Sequence, residues 1–264
     1  MSHVIRLFGM KIDAFEMAVA VDRVLEWCAE PRAEKCRYVV TPNVDHTVMF
    51  QTDTDLQQAY AGAAMVLADG APVVLASRLL RKALPERVAG SDLVPALFDA
   101  ASQQSDDATQ PLRVFLLGAG PGVADRAAEV IHERWRGVEV VGTLSPPLGF
   151  EHAEAENQRI LQAVADCQPD LVLIGLGAPK QELWIGRHAD QLQAKAALCI
   201  GATIDFIAGE KSRAPRIMQK LGLEWIHRVA TEPKRLAKRY ARDAWVFPQL
   251  ILREWMNGRA ELEQ

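Results

Sequence analysis

Four short stretches place reactive or charged side chains beside glycine and proline. In "MVLADGAPVV", Asp69 directly follows an apolar run, and in "DLVLIGLGAPKQELWI", Lys180, Gln181 and Glu182 follow Gly175, Gly177 and Pro179. "CIGATIDFIAGEKSRAP" places Thr203 and Asp205 after Gly201 and closes on Arg213, and "VFLLGAGPGVADRAAEV" carries Gly118, Gly120 and Gly122. A carboxylate such as Asp69 can take a proton from a hydroxyl nucleophile. A cation and an amide beside the free N–H groups of a helix start suit a polar, anionic ligand. Each stretch also has a plainer reading. Asp69 can be the N-cap of a helix starting near Ala71-Pro72. Pro179 and Glu182 are ordinary first-turn residues, and Asp205 can cap or pair with a basic neighbour. The glycine stretch is G-x-G-x-G, with Val123 at the sixth position, and no acid closes the following strand. It reads as a tight strand-to-helix turn rather than a dinucleotide fingerprint, with a phosphate-bearing fragment nearby left open. HExxH, GxSxG and Walker A patterns are absent from the sequence, which removes support for zincin, serine-hydrolase and P-loop chemistry.

The elements that must position these residues are legible as alternating runs. Strands are expected at Arg37–Val40, Ala64–Ala68, Arg113–Leu117, Val138–Val141, Leu171–Ile174 and Ala197–Ile200. Helical periodicity occupies Ala14–Ala29, Asp92–Ala101, Val123–Arg136, Ala153–Asp166 and Pro179–Gln193. Such alternation predicts an α/β fold, a mostly parallel sheet with helices on both faces. Ligands of such sheets collect beyond the carboxyl ends of the strands. The rim is then Thr41-Pro42-Asn43, Asp69-Gly70, Gly118 to Gly122, Gly142-Thr143, Gly175 to Gly177 and Gly201 to Thr203. Glycines there, Gly118 and Gly177 among them, let backbone approach a bound substrate.

Composition sets the bounds. The 264 residues suffice for a full core. Four widely spaced cysteines, Cys28, Cys36, Cys167 and Cys199, predict neither a disulfide framework nor a zinc site. The first ten residues carry no apolar signal region, and no run approaches a membrane span. A cytoplasmic location is therefore expected. Charge is unevenly spread: residues 211–264 hold 12 Lys+Arg against 6 Asp+Glu, a net of +6, while residues 1–210 carry −10. A basic tail on an acidic body predicts an anionic partner at the C-terminal end. In "EPKRLAKRYARDAWVFPQLILREW" basic residues interleave with aromatic and aliphatic ones; Pro233 can start a helix and Pro248 is expected to break or kink one. The tail is either a helical pair packed on the core or a surface facing an anionic membrane.

Six segments, "TPNVDH", "LADGAPVV", "ERVAGSDLVPAL", "GLGAPKQELWI", "GATIDFIAGEKSRAP" and "GLEWIHRVATEPKR", resemble in order and spacing the WecG/TagA/CpsF family of bacterial glycosyltransferases, over about Ile5 to Arg239. The resemblance implies a Rossmann-like α/β core with a C-terminal helical appendage, and an inverting transfer of a hexose or N-acetylhexosamine-type sugar. The donor would be a UDP-sugar and the acceptor a polyprenyl-diphosphate-linked sugar, in cell-surface polysaccharide synthesis at the inner face of the membrane. It implies no bound metal or other cofactor. By position, Asp69 matches the family's proposed general base. Thr41 and Asn43 match acceptor-side polar residues, and Arg87 and Asp92 the segment lining the site. Gln181 and Glu182 match the nucleotide and sugar end, beside Lys180. Thr203 and Asp205 match a further segment, although Ala202-Thr203 stands where many members carry another glycine. Arg213, Arg228 and Arg235 match basic positions of a C-terminal helical appendage.

The expected division is an α/β catalytic core over residues 1–208 and a basic amphipathic appendage over 209–264, membrane-facing and completing the site. Arg213, Arg216, Arg228 and Arg235 would balance charge on the departing diphosphate. Nucleic acid is not an expected partner, and self-association is left open. Two other functions are compatible with the residues alone: a nicotinamide-dependent oxidoreductase built on the Gly118–Gly122 turn, and a non-catalytic nucleotide-sugar-binding regulator.

Overall fold

The computed structural model describes residues 4–104, 110–215, 217–218 and 223–262. Six strands form one sheet in which every neighbouring pair is parallel: β3 (Arg37–Val40), β4 (Met65–Val66), β5 (Leu112–Gly118), β6 (Val138–Leu144), β7 (Leu171–Gly175) and β8 (Ala196–Cys199), in the order β4-β3-β8-β7-β5-β6. Strands buried on both faces read as continuous apolar runs. Successive side chains point to opposite faces, so Tyr38, Phe115, Val172 and Ala197 enter one hydrophobic cluster. Val39, Val114, Leu171, Leu173 and Leu198 enter the other. The second cluster is covered by α1 (Met17–Ala29), α5 (Gly90–Gln104) and α6 (Val123–Arg134). The first is covered by α2 (Val44–Phe50), α3 (Thr54–Ala61), α4 (Ala71–Leu79), α7 (Glu154–Cys167) and α8 (Lys180–His188).

An antiparallel hairpin, β1 (Val4–Leu7) and β2 (Met10–Asp13), precedes the sheet and was not expected. Phe8 and Gly9 both take positive φ in its two-residue turn, the geometry of a tight hairpin. Asp13 Oδ2 accepts from the Val66 N–H at 2.9 Å, serving a backbone group of the short edge strand β4.

Two expectations require correction. Gly142-Thr143 does not lie at the rim: β6 continues through both to Leu144. The register shifts beside Val114 and Phe115, and a Cβ at Gly142 would meet the Phe115 ring at 2.7 Å and Cys167 Sγ at 2.8 Å. Gly142 therefore serves strand packing, not ligand approach. Nor does Pro248 break the tail. After α9 (Thr203–Ile207) and α10 (Glu224–Thr231), one helix, α11, runs Pro233–Leu262. Pro248 and Ala244 are exposed, so the carbonyl that loses its donor lies where water can serve it, while Phe247 and Leu250 hold the helix to the core. Phe247 lies 5.4 Å from the Phe8 ring centre, and Phe247 and Leu250 belong to the first hydrophobic cluster.

At the carboxyl ends of β5, β7 and β8 stand Gly118, Gly175 and Gly201. A Cβ on Gly118 would lie 2.5 Å from the Gly175 carbonyl oxygen, and its φ is +119°. Gly118→Ala should therefore destabilise the fold by about 2–4 kcal/mol, from backbone strain plus overpacking. Gly177→Ala, also at positive φ but with open space around its Cβ, should cost about 1 kcal/mol. Urea unfolding of both variants checks the contrast; equal losses would show that the strand approach is not what demands Gly118.

Candidate functional site

The strand ends open into a cavity of about 900 Å³, floored by the turns after β3, β4, β5, β7 and β8 and roofed by α10 and α11. Of the expected site residues, Thr41, Asn43, Asp69, Arg87, Gly177, Lys180, Gln181, Thr203, Asp205, Arg213 and Arg228 line it. Asp92 and Glu182 lie behind the wall, where they hold residues that do line it. Gly118 is also off the cavity surface, its identity explained by the Gly175 backbone. Arg216 and the Arg235 side chain lie outside the described residues.

Asp69 is not a helix cap. The N-cap of α4 is Gly70, and no side chain caps it. The Asp69 side chain is 28% exposed, 3.7 Å from Arg87. Burial raises its pKa to about 6, against the opposing pull of Arg87 and Arg228. Arg87 also donates to Asp92 Oδ2 at 2.6 Å and lies 3.6 Å from Glu224 of α10. Arg213 pairs with Asp92 Oδ1 at 2.7 Å and lies 3.6 Å from Glu224. Asp92 thus fixes Arg87 beside Asp69 and also holds Arg213, and Glu224 brings the C-terminal segment onto both arginines.

A second network holds the opposite wall. Asn43 is the N-cap of α2 and accepts from the N–H groups of Asp45 and His46 at 3.0 and 3.3 Å. His46 Nδ1 lies 3.0 Å from Asn43 Oδ1, and its Nε2 lies 3.2 Å from Glu182 Oε1. Gln181 donates to the same Glu182 oxygen at 2.7 Å and accepts from the Gly201 N–H at 3.1 Å. Burial alone would lower the His46 pKa, but the Glu182 charge and hydrogen bond outweigh it and raise it. Burial would likewise raise Glu182, but His46 and Gln181 hold it below the usual carboxylate range. Both shifts favour the charged forms across this buried contact. Pro179 is the N-cap of α8 rather than its first residue, and Lys180 turns to Glu151 at 2.6 Å. Thr41 and Thr203 donate to the carbonyls of Cys199 and Ile200, and Asp205 faces Lys211 at 3.5 Å.

Sequence reasoning missed Asp45, His46, Glu224 and Asp243. The first two had a signal: an N-cap Asn followed three residues later by a hydrogen-bonding side chain is a capping-box spacing, with His in place of the usual Glu or Gln. Asp45 is buried and receives both Arg239 and Arg242 of α11, the latter at 2.8 Å. That clamp fixes the roof to the rim.

A parallel sheet that gathers a perturbed carboxylate and fixed arginines around one large cavity at its carboxyl ends defines an α/β enzyme acting on a polar, anionic ligand. Comparison with known proteins sharpens this. The chain belongs to the glycosyl transferase WecG/TagA/CpsF family, whose model matches residues 5–261, and is a glycosyltransferase. Among curated relatives, the N-acetylglucosaminyldiphosphoundecaprenol N-acetyl-beta-D-mannosaminyltransferase of Staphylococcus aureus strain MRSA252 is 28% identical over 236 residues, covering 88% of this chain and 86% of the relative. The protein of the same name from strain NCTC 8325 is 27% identical over the same shares.

Removing one partner of a buried ion pair leaves the other uncompensated and costs about 3–5 kcal/mol. Glu182→Ala should lose stability on that scale at neutral pH, measured by urea unfolding. A loss below about 1 kcal/mol would mean that His46 sheds its proton at little cost and the charged pair does not hold this wall.

Proposed function

We propose that the protein is an inverting transferase that moves a hexose or N-acetylhexosamine-type sugar from a UDP-sugar to a polyprenyl-diphosphate-linked sugar in cell-surface polysaccharide synthesis. The relatives' names carry an N-acetylglucosaminyl-diphosphoundecaprenol acceptor and a mannosaminyl group, which makes N-acetylmannosamine the first donor sugar to try. The observation that carries the reading is Asp69: a carboxylate in the cavity wall, free of capping duty, raised to about 6 and facing Arg87.

In the proposed step an acceptor hydroxyl attacks the anomeric carbon from the side opposite the leaving group. The new C–O bond forms as the bond to the UDP oxygen breaks, and Asp69 takes the hydroxyl proton. Charge grows on the departing diphosphate, and Arg87, Arg213 and Arg228 supply cations for it within the same cavity. Gly177, at positive φ with open space beside it, lets the turn after β7 approach the donor. No metal is assigned a part. The decisive experiment is a panel of UDP-sugars with polyprenyl-diphosphate-N-acetylglucosamine, scored for UDP release and product mass. Binding of UDP-sugar without acceptor-dependent UDP release would instead make the protein a binding regulator, and stabilisation by NADH alone would favour an oxidoreductase.

The C-terminal segment is proposed to seat the enzyme peripherally on an anionic membrane. Among the described residues no helix is long and apolar enough to cross one. Helix α11 has two faces: Leu236, Phe247 and Leu250 are buried, whereas Trp245, at 75% exposure, Leu252, Trp255 and Met256 are exposed, as are Lys234, Lys238 and Arg253. Aromatic and basic residues so placed suit a headgroup layer. In this reading residues 209–264 are the appendage that completes the site on a core of residues 1–208.

Asp69→Asn should keep UDP binding and lower turnover by roughly 10²-fold or more. A base works only when ionised, so wild-type kcat/KM should fall about tenfold per pH unit below about pH 6, and the variant should lose that limb. A carboxylate whose folded-state pKa is raised contributes stability at low pH that is lost as pH rises through about 6. The variant should therefore melt no lower than wild type at pH 8. Near-normal turnover, or an unchanged acid limb, would remove Asp69 as the base. For the membrane, Lys234→Glu, Lys238→Glu and Arg253→Glu together should abolish sedimentation with anionic liposomes. This set spares Arg239 and Arg242, which clamp Asp45. Added salt should weaken the wild-type interaction; undiminished sedimentation of the triple variant would rule the surface out.

A further inference from the structure

Helix α11 brings a carboxylate with an unfilled hydrogen-bonding place to the cavity. Asp243 is only 2% exposed and stands in the cavity wall. Arg242 donates to its Oδ1 from Nε at 3.3 Å and from a guanidinium nitrogen at 3.1 Å. Oδ2 is buried with no hydrogen-bond partner. Leaving a buried acceptor empty is costly, and folded proteins fill nearly all such places. An empty one in the wall of a substrate cavity is a place for a ligand donor.

The chemistry of that donor follows from the surroundings. A carboxylate repels phosphate oxygens, and Arg87 and Arg213, held by Asp92, stand on the Asp69 side of the cavity. Asp243 instead has Asp45, Arg239 and Arg242 as its charged neighbours. Asp45 follows Thr41 and Asn43, and the clamp from Arg239 and Arg242 keeps this part of α11 against the start of α2. What suits Oδ2 is a neutral hydroxyl or amide N–H. We propose that Asp243 binds the acceptor sugar, its Oδ2 accepting a hydrogen bond from a ring hydroxyl or acetamido N–H of the sugar attached to the lipid diphosphate. This rests on the reading of the protein as a transferase to a lipid-linked sugar. It makes the roof helix a determinant of acceptor choice, since a site built to receive a hydrogen bond discriminates strongly against a sugar lacking that group.

The test uses the full-length protein, a short-chain polyprenyl-diphosphate-N-acetylglucosamine acceptor, and analogues each lacking one hydroxyl or the acetamido group. Asp243→Ala should raise the acceptor KM about tenfold or more, the scale of a hydrogen bond to a charged group. It should leave the donor KM and the UDP-induced rise in Tm within about twofold of wild type. Asp243→Asn keeps an acceptor oxygen and should fall between the two; it also serves if the alanine variant folds poorly. One analogue should erase the difference between wild type and variant, identifying the bonded group. An unchanged acceptor KM, or a difference that persists with every analogue, would overturn the assignment. Acceptor binding, read as a rise in Tm, separates this from the functional reading. A wild type that binds the acceptor but transfers nothing defeats the functional reading, while loss of that binding in Asp243→Ala would still support the site.

Discussion

The buried contact between the His46 ring and the Glu182 carboxylate ties together three segments that the chain supplies far apart. Taking two charges out of water is expensive and is offset only when their remaining hydrogen-bonding places are filled. Here most of them are: His46 reaches Asn43 through its other nitrogen, and Glu182 Oε1 also accepts from Gln181, whose oxygen receives the Gly201 N–H, while Glu182 Oε2 is buried without a partner. The start of α2, the start of α8 and the turn after β8 are thereby held in one arrangement. Thr41, Gln181 and Thr203 line the cavity from those same segments. A network of this kind gives little net stability over an apolar core, but it rigidifies the wall it supports.

The cavity is neither simply basic nor simply acidic. Of the arginines that the sequence assigns to a diphosphate, Arg213 is already engaged with Asp92 and Glu224; Arg87 shares both partners, and Arg239 pairs with Asp45. Each guanidinium has five N–H donors, so a carboxylate can fix its plane while other hydrogens face the cavity. Pre-positioned cations of this sort lose less freedom when an anion arrives. Asp69 shares the arrangement with opposite effect: burial holds its proton affinity up while Arg87 limits the rise.

How much of this was legible in the sequence depends on the range of the interaction. Strand and helix positions in the α/β body follow from local apolar runs, and all six strands lie at or within a few residues of where those runs predict. The shortest, β4, keeps only two residues of its run, although Leu67 N–H still reaches the Val40 carbonyl. The hairpin of β1 and β2 escaped because its short strands alternate buried and exposed residues, whereas β3 and β8, equally short, are marked by continuous apolar runs. Gly142 and Gly118 were misread for one reason: glycine marks close approach but does not say what approaches. In both cases it is another part of the sheet. The site was legible where motifs follow strand ends, as with Asp69 after β4 and Gln181 after β7. It was not legible where the partner lies on α11, since nothing local in "AWVFPQ" or "RDAW" tells that Asp243 would come to rest in the cavity wall.

The clamp between Asp45 and α11 has a consequence for synthesis. Arg239 lies 194 residues beyond Asp45 in sequence, and Arg242 lies 197 beyond it. At about 5–20 residues per second a ribosome needs roughly 10–40 s to bridge that interval. Through that time the rim of α2 is present but its roof is not. Phe8 and the apolar surface that Phe247 and Leu250 later cover lack their C-terminal partners during the same interval. Contacts of such long separation close late because loop entropy must first be overcome. A nascent chain that has completed β8 can thus hold every strand of its sheet while the cavity still lacks the roof that α11 supplies.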